Sequence, residues 1–350
     1  MIHDSVLDVV GGTPMVRLQR LTVRNGSEIL VKLEGYNPSR SIKDRAALFM
    51  IRQAELAGRL HPRGTIIEST SGNFGKSLAL IGAVLGYRVI LVVDPKTPPS
   101  VIDYLTALGA QVVIVDIPDA NGGYQAPRIE RVRQIVAADR DVVWLDQYNN
   151  PDNPRVHAAN TAHELLADVG KFDALVASVS TGGHLSGLAA TLKKRLPGVV
   201  TIGVDAAGSG AFGYPFRRYV MRGIGLGWPP GNLDRSVVDL VQLVADHEGI
   251  ATSHAMARHE GLLVGESSGA AVFGALHHAH HHPRSRIVVI AADDGANYLG
   301  ESFNEEWLRQ RGIFDRIEAA GLADRESLVA AAERPTFCAE PLEETWLKAS

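Results

Sequence analysis

TIIESTSGNFGKSLALIGAVLGYRVILVV, residues 65–93, is the stretch whose reading decides the fold. It opens on a short β-branched apolar run (65–68) and passes through a turn rich in hydroxyls and glycine. An apolar pattern of helical period follows (75–85), and a second β-branched run (88–93) closes the unit. Both runs are apolar on successive residues, so both faces of each strand need cover, as in a parallel sheet flanked by helices. The same alternation extends outward in both directions. Strands are predicted at 28–33, 111–115, 141–145, 174–178, 201–204, 237–244 and 286–291. Helices are predicted at 44–58, 99–108, 128–138, 155–169, 185–195, 249–263 and 270–280. Strand–helix alternation of this kind is an open, mostly parallel α/β fold.

Two breaks interrupt the pattern. An Asn-, Asp- and Pro-rich segment at 148–154 divides it into halves, and a long stretch at 207–234 is dense in glycine, proline and aromatics. A loop that long inside a compact domain is usually functional or mobile. Beyond about residue 300 the pattern becomes short charged helices ending in a proline-containing tail.

With 350 residues the chain buries a large core and is expected to form two lobes. Its composition, 45% hydrophobic and 21% charged, is that of an ordinary globular protein. A net charge of −4 gives no electrostatic case for nucleic acid. The single cysteine, Cys338, excludes an internal disulfide and a multi-cysteine metal site. Asp4 and Asp8 interrupt the N-terminal apolar run, so no signal peptide is expected. No stretch approaches the ~20 apolar residues that a membrane span requires. A cytoplasmic location with no membrane partner is the expectation.

Four segments carry chemistry. In Asn37-Pro38-Ser39-Arg40-Ser41-Ile42-Lys43-Asp44-Arg45, Pro38 disfavours helix at Asn37, and Ser41 with Asp44 three residues on reads as a capping-box-like start. Lys43 then lies in the first helical turn, where the macrodipole disfavours a cation and lowers its pKa, which suits an amine nucleophile. A surface lysine on an amphipathic helix is the ordinary reading of that position alone. The segment Glu68–Gly75 places hydroxyls, an amide and free N–H groups between strand and helix, an anion cradle that is also a plain turn. Ser180-Thr181-Gly182-Gly183-His184-Leu185-Ser186-Gly187 likewise follows a strand and opens a helix, which suits a phosphate. Gly265-Glu266-Ser267-Ser268-Gly269 precedes an apolar helix, and by itself either serine reads as an N-cap.

Together and in this order, with the opening Gly11-Gly12-Thr13-Pro14-Met15-Val16-Arg17-Leu18, these segments resemble the fold-type-II pyridoxal-phosphate family of cysteine synthase and cystathionine β-synthase. The resemblance runs from about residue 6 to 300. It implies a two-lobed, tryptophan-synthase-β-like architecture: a small mobile lobe at 40–145, a larger lobe at 1–39 and 146–300, and a helical extension at 301–350. It implies pyridoxal 5′-phosphate as cofactor, with Lys43 as Schiff-base lysine and Asn73 on the phenolic oxygen. Ser180, Thr181, Gly182, Gly183 and His184 would hold the phosphate, and Ser267 would face the pyridine nitrogen. Thr70, Ser71, Gly72 and Gln147 would hold the substrate carboxylate. A neutral serine at the ring nitrogen limits the electron sink and favours expulsion of a β-substituent over transamination. Lys43 would remove the α-proton, and a second nucleophile would add to the resulting aminoacrylate. A homodimer acting on small amino acids is implied by the resemblance alone.

Three positions depart from the cysteine-synthase pattern: Phe74 stands for threonine, Ser180 for glycine, and Tyr148 for phenylalanine. Ser180 and Tyr148, with the short segment Phe303–Trp307, are similar to the family's siderophore branch, N-(2-amino-2-carboxyethyl)-L-glutamate synthase. That branch joins O-phospho-L-serine to the amine of L-glutamate on the way to 2,3-diaminopropionate, for a siderophore or a peptide antibiotic. The alternatives are a cysteine synthase using O-acetyl- or O-phosphoserine with a sulfur nucleophile, or a catalytically silent binding homologue. Arg217, Arg218 and Arg222 lie in the 207–234 loop, and Arg217 or Arg222 is a candidate for a phosphate or carboxylate, which guanidinium forks suit. Gly208–Gly213 matches a dinucleotide-binding spacing, but the Gly/Pro-rich stretch after it makes no helix. His277, His278, His280, His281 and His282 include i,i+4 pairs, yet no carboxylate or cysteine completes a metal set, so no metal is expected.

Overall fold

The computed structural model describes residues 2–119, 123–338 and 340–341. Among them the predicted alternation resolves into two sheets. The larger runs β1-β2-β10-β7-β8-β9-β11 and the smaller β5-β4-β3-β6. The strands are β1 (Met15–Arg17), β2 (Glu28–Leu33), β3 (Thr65–Ser69), β4 (Arg88–Val93), β5 (Gln111–Ile114) and β6 (Val142–Trp144) in the first part of the chain. β7 (Ala174–Ser178), β8 (Val200–Ala206), β9 (Leu240–Val244), β10 (Arg286–Ala291) and β11 (Glu340–Pro341) follow. All pairings in the smaller sheet are parallel. The larger sheet is parallel except at its two edges, where β1 and β11 pair antiparallel. Both edge strands are too short for periodicity to reveal, and neither is predicted from sequence.

The helices are α1 (Lys43–Leu56), α2 (Asn73–Leu85), α3 (Pro99–Ala107), α4 (Gln125–Ala138), α5 (Asp152–Val156), α6 (Ala162–Val169), α7 (Gly183–Arg195), α8 (Asp246–Ala255) and α9 (Glu266–His281). Short helices α10 (Glu305–Gln310), α11 (Ile313–Ala319) and α12 (Arg325–Ala331) form the C-terminal part. The predicted helix at 155–169 is continuous but carries a π turn, His157–Thr161, between α5 and α6. A second π turn, Met256–Glu260, extends α8.

The doubly apolar runs have the expected cause. Along β10, Ile287, Val289 and Ala291 join the core under α8 and α9, while Val288 and Ile290 join the core under α6 and α7. In the smaller sheet, Ile66, Leu91 and Val93 pack on the α1 and α2 face, and Ile67 and Val92 on the opposite face with Val132 of α4. Burying an aliphatic side chain of this size stabilises by about 1.5–3 kcal/mol. A strand buried on both faces leaves its ends as the only free places for polar chemistry.

Candidate active site

Open α/β sheets bind ligands outside the carboxyl ends of their strands. Here three such ends converge: Ser69 of β3 leads into Thr70–Asn73, Ser178 of β7 into Ser180–Gly183, and Ala291 of β10 into Ala292–Asp293. They border one cavity of about 250 Å3. Lys43, Thr70, Ser71, Gly72 and Asn73 line it, together with Gln147, Tyr148, Ser180, Arg222 and Ser267.

Lys43 is the first residue of α1, but the cap differs from the sequence expectation. The Asp44 carboxylate accepts from the Ser39 backbone N at 2.7 Å and from the Ser39 hydroxyl, so it does not form a box with Ser41. Pro38 and the left-handed Arg40 (φ 67°) turn the chain so that Ser39, not Ser41, faces the carboxylate. The Lys43 amine is lowered from the ordinary lysine range chiefly by burial, and Asp293 opposes the shift. Desolvation, rather than the helix dipole invoked from sequence, is the dominant cause.

Asn73 opens α2 and donates from Nδ2 to Asp293 Oδ2 at 2.7 Å. Gln147 is buried beside it, its Nε2 donating to the Ser69 carbonyl at 3.2 Å. Beneath both lies Glu68, whose buried carboxylate accepts from Trp144 Nε1, Ser69 N and Gln147 N. Burial raises Glu68 to about 8 despite those donors. The Thr70–Asn73 turn and Gln147 are therefore held by one buried acid.

Gly183 opens α7, and Gly182 before it has φ +81°, which a side chain rarely adopts. A Cβ at Gly182 would meet Leu233 at 2.7 Å, and one at Gly183 would collide with the Asn153 amide. First-turn N–H groups of a helix have no intrahelical partner and favour an anion. Of this segment only Ser180 borders the cavity; Thr181, Gly182, Gly183 and His184 are buried next to it. His184 and its edge-on neighbour His157, with ring centroids 6.1 Å apart, are both kept neutral by burial, His184 falling to about 3.

Ser267 lies in the first turn of α9, and its hydroxyl is buried without a hydrogen-bond partner. An orphaned buried hydroxyl is costly unless a ligand completes it. Its neighbour Glu266 accepts from the Arg222 backbone N and is raised to about 8 by burial.

The two arginine candidates separate. Arg217 is exposed and does not line the cavity; its backbone N is tied to the Gly208 carbonyl. Arg218 is exposed as well. Arg222 does line the cavity, with Nη1 on both Glu301 oxygens at 2.8 and 3.0 Å and Nη2 3.4 Å from the Ser71 carbonyl.

Sequence reasoning missed Arg128. It lies on α4 one turn after Gln125, and both line the same cavity as Arg222. Arg128 is 4% exposed. Its Nη1 is 3.1 Å from Asp94 Oδ2, yet neither Nη1 nor Nε makes a hydrogen bond. A guanidinium withdrawn from water with donors unmet has the chemistry of an anion receptor. The i,i+3 spacing of Gln125 and Arg128 is the only sequence signal, and on an amphipathic helix it reads as solvated surface. Asp293, bordering the same cavity, was missed for a similar reason: an acid just after a strand is common.

The decoys resolve simply. Residues 208–234 form no helix, so the Gly208–Gly213 spacing frames a turn. The histidine pairs are real, with ring centroids of 4.7 Å for His277–His281 and 3.9 Å for His278–His282. Among the described residues, however, no cluster holds a metal. His277, His280 and His281 instead bond the carbonyls of Ala332, Val329 and Glu333, fastening the C-terminal part to α9.

A buried primary amine, an unpaired hydroxyl bordering the same cavity and a glycine-framed helix start beside it fit a pyridine aldehyde bearing a phosphate. The comparisons with known proteins agree. The sequence profile of the family described as "Pyridoxal-phosphate dependent enzyme" matches residues 6–293. N-(2-amino-2-carboxyethyl)-L-glutamate synthase of Cupriavidus metallidurans is 37% identical over 313 residues, which cover 88% of this chain and 92% of that protein. Cystathionine β-synthase of Oryctolagus cuniculus is 39% identical over 333 residues, covering 91% of this chain but 59% of that protein. The structure of O-acetyl serine sulfhydrylase isoform 3 from Entamoeba histolytica superposes with a TM-score of 0.84 at 30% identity, covering 95% of this chain and 96% of that one. Among the described residues no helix is long and apolar enough to cross a membrane.

Proposed function

This chain belongs to the pyridoxal-phosphate dependent enzymes and carries out the β-replacement chemistry of the cysteine synthase and cystathionine β-synthase family, and from that premise we propose its two substrates. They are O-phospho-L-serine and L-glutamate, giving N-(2-amino-2-carboxyethyl)-L-glutamate and phosphate. The β-carbon–oxygen bond of phosphoserine breaks and a bond to the glutamate nitrogen forms in its place.

The observation that carries this reading is Arg128, buried at the cavity beside Asp94 with Nε and Nη1 making no hydrogen bond. A dianionic phosphate offers three oxygens to such a fork, whereas an acetyl ester offers no charge. Tyr148 and Ser180 border the same cavity and supply hydroxyls beside it. The similarity to the Cupriavidus metallidurans N-(2-amino-2-carboxyethyl)-L-glutamate synthase supports this product.

The remaining roles are proposed from the family resemblance and the residues lining the cavity. Pyridoxal phosphate, when bound, supplies the electron sink that lets the α-proton and the β-substituent leave. Lys43 would hold it and would serve as the base for the α-proton, its amine being lowered from the ordinary lysine range by burial. Thr70, Ser71 and Gln147 would orient the α-carboxylate, and Asn73 and Ser267 would hold the cofactor ring. Closure of residues 40–145 over the cavity excludes water that would otherwise compete with the amine.

Product analysis of the purified enzyme tests the reading directly. Phosphoserine with glutamate gives the condensed amino acid, and Arg128→Met raises KM for phosphoserine by about 10- to 100-fold, the loss expected for charge-assisted hydrogen bonds. Turnover only with sulfide or another sulfur nucleophile would establish a cysteine synthase instead. Purified protein that binds no cofactor would point to a silent homologue.

A further inference from the structure

A chain of hydrogen bonds runs beside the cavity from Lys76 to Asp293. Lys76 Nζ lies 4.6 Å over the Tyr104 ring and donates to Asn297 Oδ1 at 2.6 Å. Asn297 Nδ2 donates to Asn73 Oδ1 at 3.3 Å. Asn73 Nδ2 then donates to Asp293 Oδ2 at 2.7 Å, and Tyr298 OH reaches the same oxygen at 2.5 Å. Every donor points toward Asp293. An asparagine amide has two N–H donors and one carbonyl. Here the carbonyl is committed to Asn297 and one N–H to Asp293, so a single N–H is left for a ligand. The chain also joins the two sheets: Asn73 and Lys76 stand on α2, after β3, whereas Asp293, Asn297 and Tyr298 follow β10.

Asp293 has a second face. It lines the cavity with Lys43, and its backbone forms an antiparallel bridge to Ser41, with Ile42 N donating to the Ala292 carbonyl at 2.8 Å. Its Oδ1 is buried with no partner, in space kept open by Gly265, where a Cβ would collide with that oxygen. The ionisable groups acting on Asp293 are Tyr298, Lys43 and Lys76. Those interacting with Lys43 are Asp293 and the neutral pair His157 and His184. Burial raises the Asp293 carboxyl, and its donors and the two lysines offset only part of that.

We propose that Asp293 is a positioning residue, which fixes the amide of Asn73 through Oδ2 and stands as the counter-charge to the Lys43 amine, with Lys76 and Asn297 holding the far end of the chain. The proposal rests on Lys43 and Asn73 being the cofactor residues. It predicts that the cofactor-free lysine depends on Asp293 for its charge state, and that the orientation of Asn73 depends on it as well.

The test uses the full chain. Borohydride reduction of the holoenzyme followed by peptide mass mapping first shows whether Lys43 carries the cofactor, so a failure of that reading is recognised separately. The pH midpoint for acylation of Lys43 is then measured in cofactor-free protein. Asp293→Asn removes the neighbouring negative charge, so the neutral amine becomes populated at lower pH and the midpoint falls by about one pH unit. Asp293→Ser, smaller and also uncharged, gives the same shift and guards against misfolding of the first variant. In the holoenzyme both variants lower kcat, with KM for the amino-acid donor near its original value. A folded variant of either kind with an unchanged acylation midpoint overturns the proposal.

Discussion

Arg45 and Glu34 meet as a fork within the protein interior: Nε lies 2.7 Å from Oε2 and Nη2 2.9 Å from Oε1, with both side chains buried. Arg45 stands two residues after Lys43 on α1, and Glu34 immediately follows β2, so the pair pins the lysine-bearing helix to the larger sheet. Arg45 also reaches Glu164 of α6 at 2.6 and 2.7 Å. Arg45→Met leaves Glu34 buried with its charge uncompensated, and should lower unfolding free energy by about 3–5 kcal/mol. Chemical denaturation measures this; a loss below about 1 kcal/mol would show that Thr13 and Asn37, the other donors to Glu34, suffice.

The same cluster sets the acid limit. Burial works against the Glu164 carboxylate, but hydrogen bonding to Arg45 and its charge outweigh that and bring the group from 4.5 down to about 2. A depressed carboxyl contributes stability that is fully present above its unfolded value and is lost as pH falls through the folded one. Denaturation midpoints should therefore decline between about pH 4.5 and 2. Glu164→Gln should flatten that decline and leave a lower, less pH-dependent stability.

Ser267 gives opposite outcomes with and without cofactor. Its hydroxyl is buried and unpaired, so Ser267→Ala removes an unsatisfied group and should leave cofactor-free stability unchanged or raise it by about 1 kcal/mol. Cofactor affinity should fall by about 5- to 10-fold, the worth of one neutral hydrogen bond. Thermal melting with and without added pyridoxal phosphate reads both; equal affinity in the two proteins would remove Ser267 from the site.

Phe74 is both cavity wall and core. It is 2% exposed and belongs to the cluster that includes Met50, Leu78 and Leu91. Phe74→Thr should widen the site for the incoming nucleophile and cost about 3 kcal/mol, as for other deletions of a buried ring. Rates with glutamate and with sulfide, set beside the denaturation midpoint, test the two effects; full stability in the variant would mean that the ring serves the cavity alone.

What the sequence determined by itself was the layered architecture and the ordered polar segments at strand ends. Runs such as 286–291, apolar on both faces, admit only a sheet covered on both sides, and glycines before a helix admit only a close backbone turn. Lys43, Asn73, Ser180 and Ser267 were candidates only through the resemblance of their segments taken together and in order, since spacing alone reads each as an ordinary turn or helix start. Arg128, Asp293 and the failed Ser41 cap were not legible. Each depends on partners far along the chain or on a local turn direction: Arg128 borders the same cavity as Arg222, Asp293 meets Asn73, and Asp44 turns to Ser39. Burial, which unmatches the donors of Arg128 and lowers the amine of Lys43, exists only once distant segments pack together. Tertiary structure alone decided which charges lost their water.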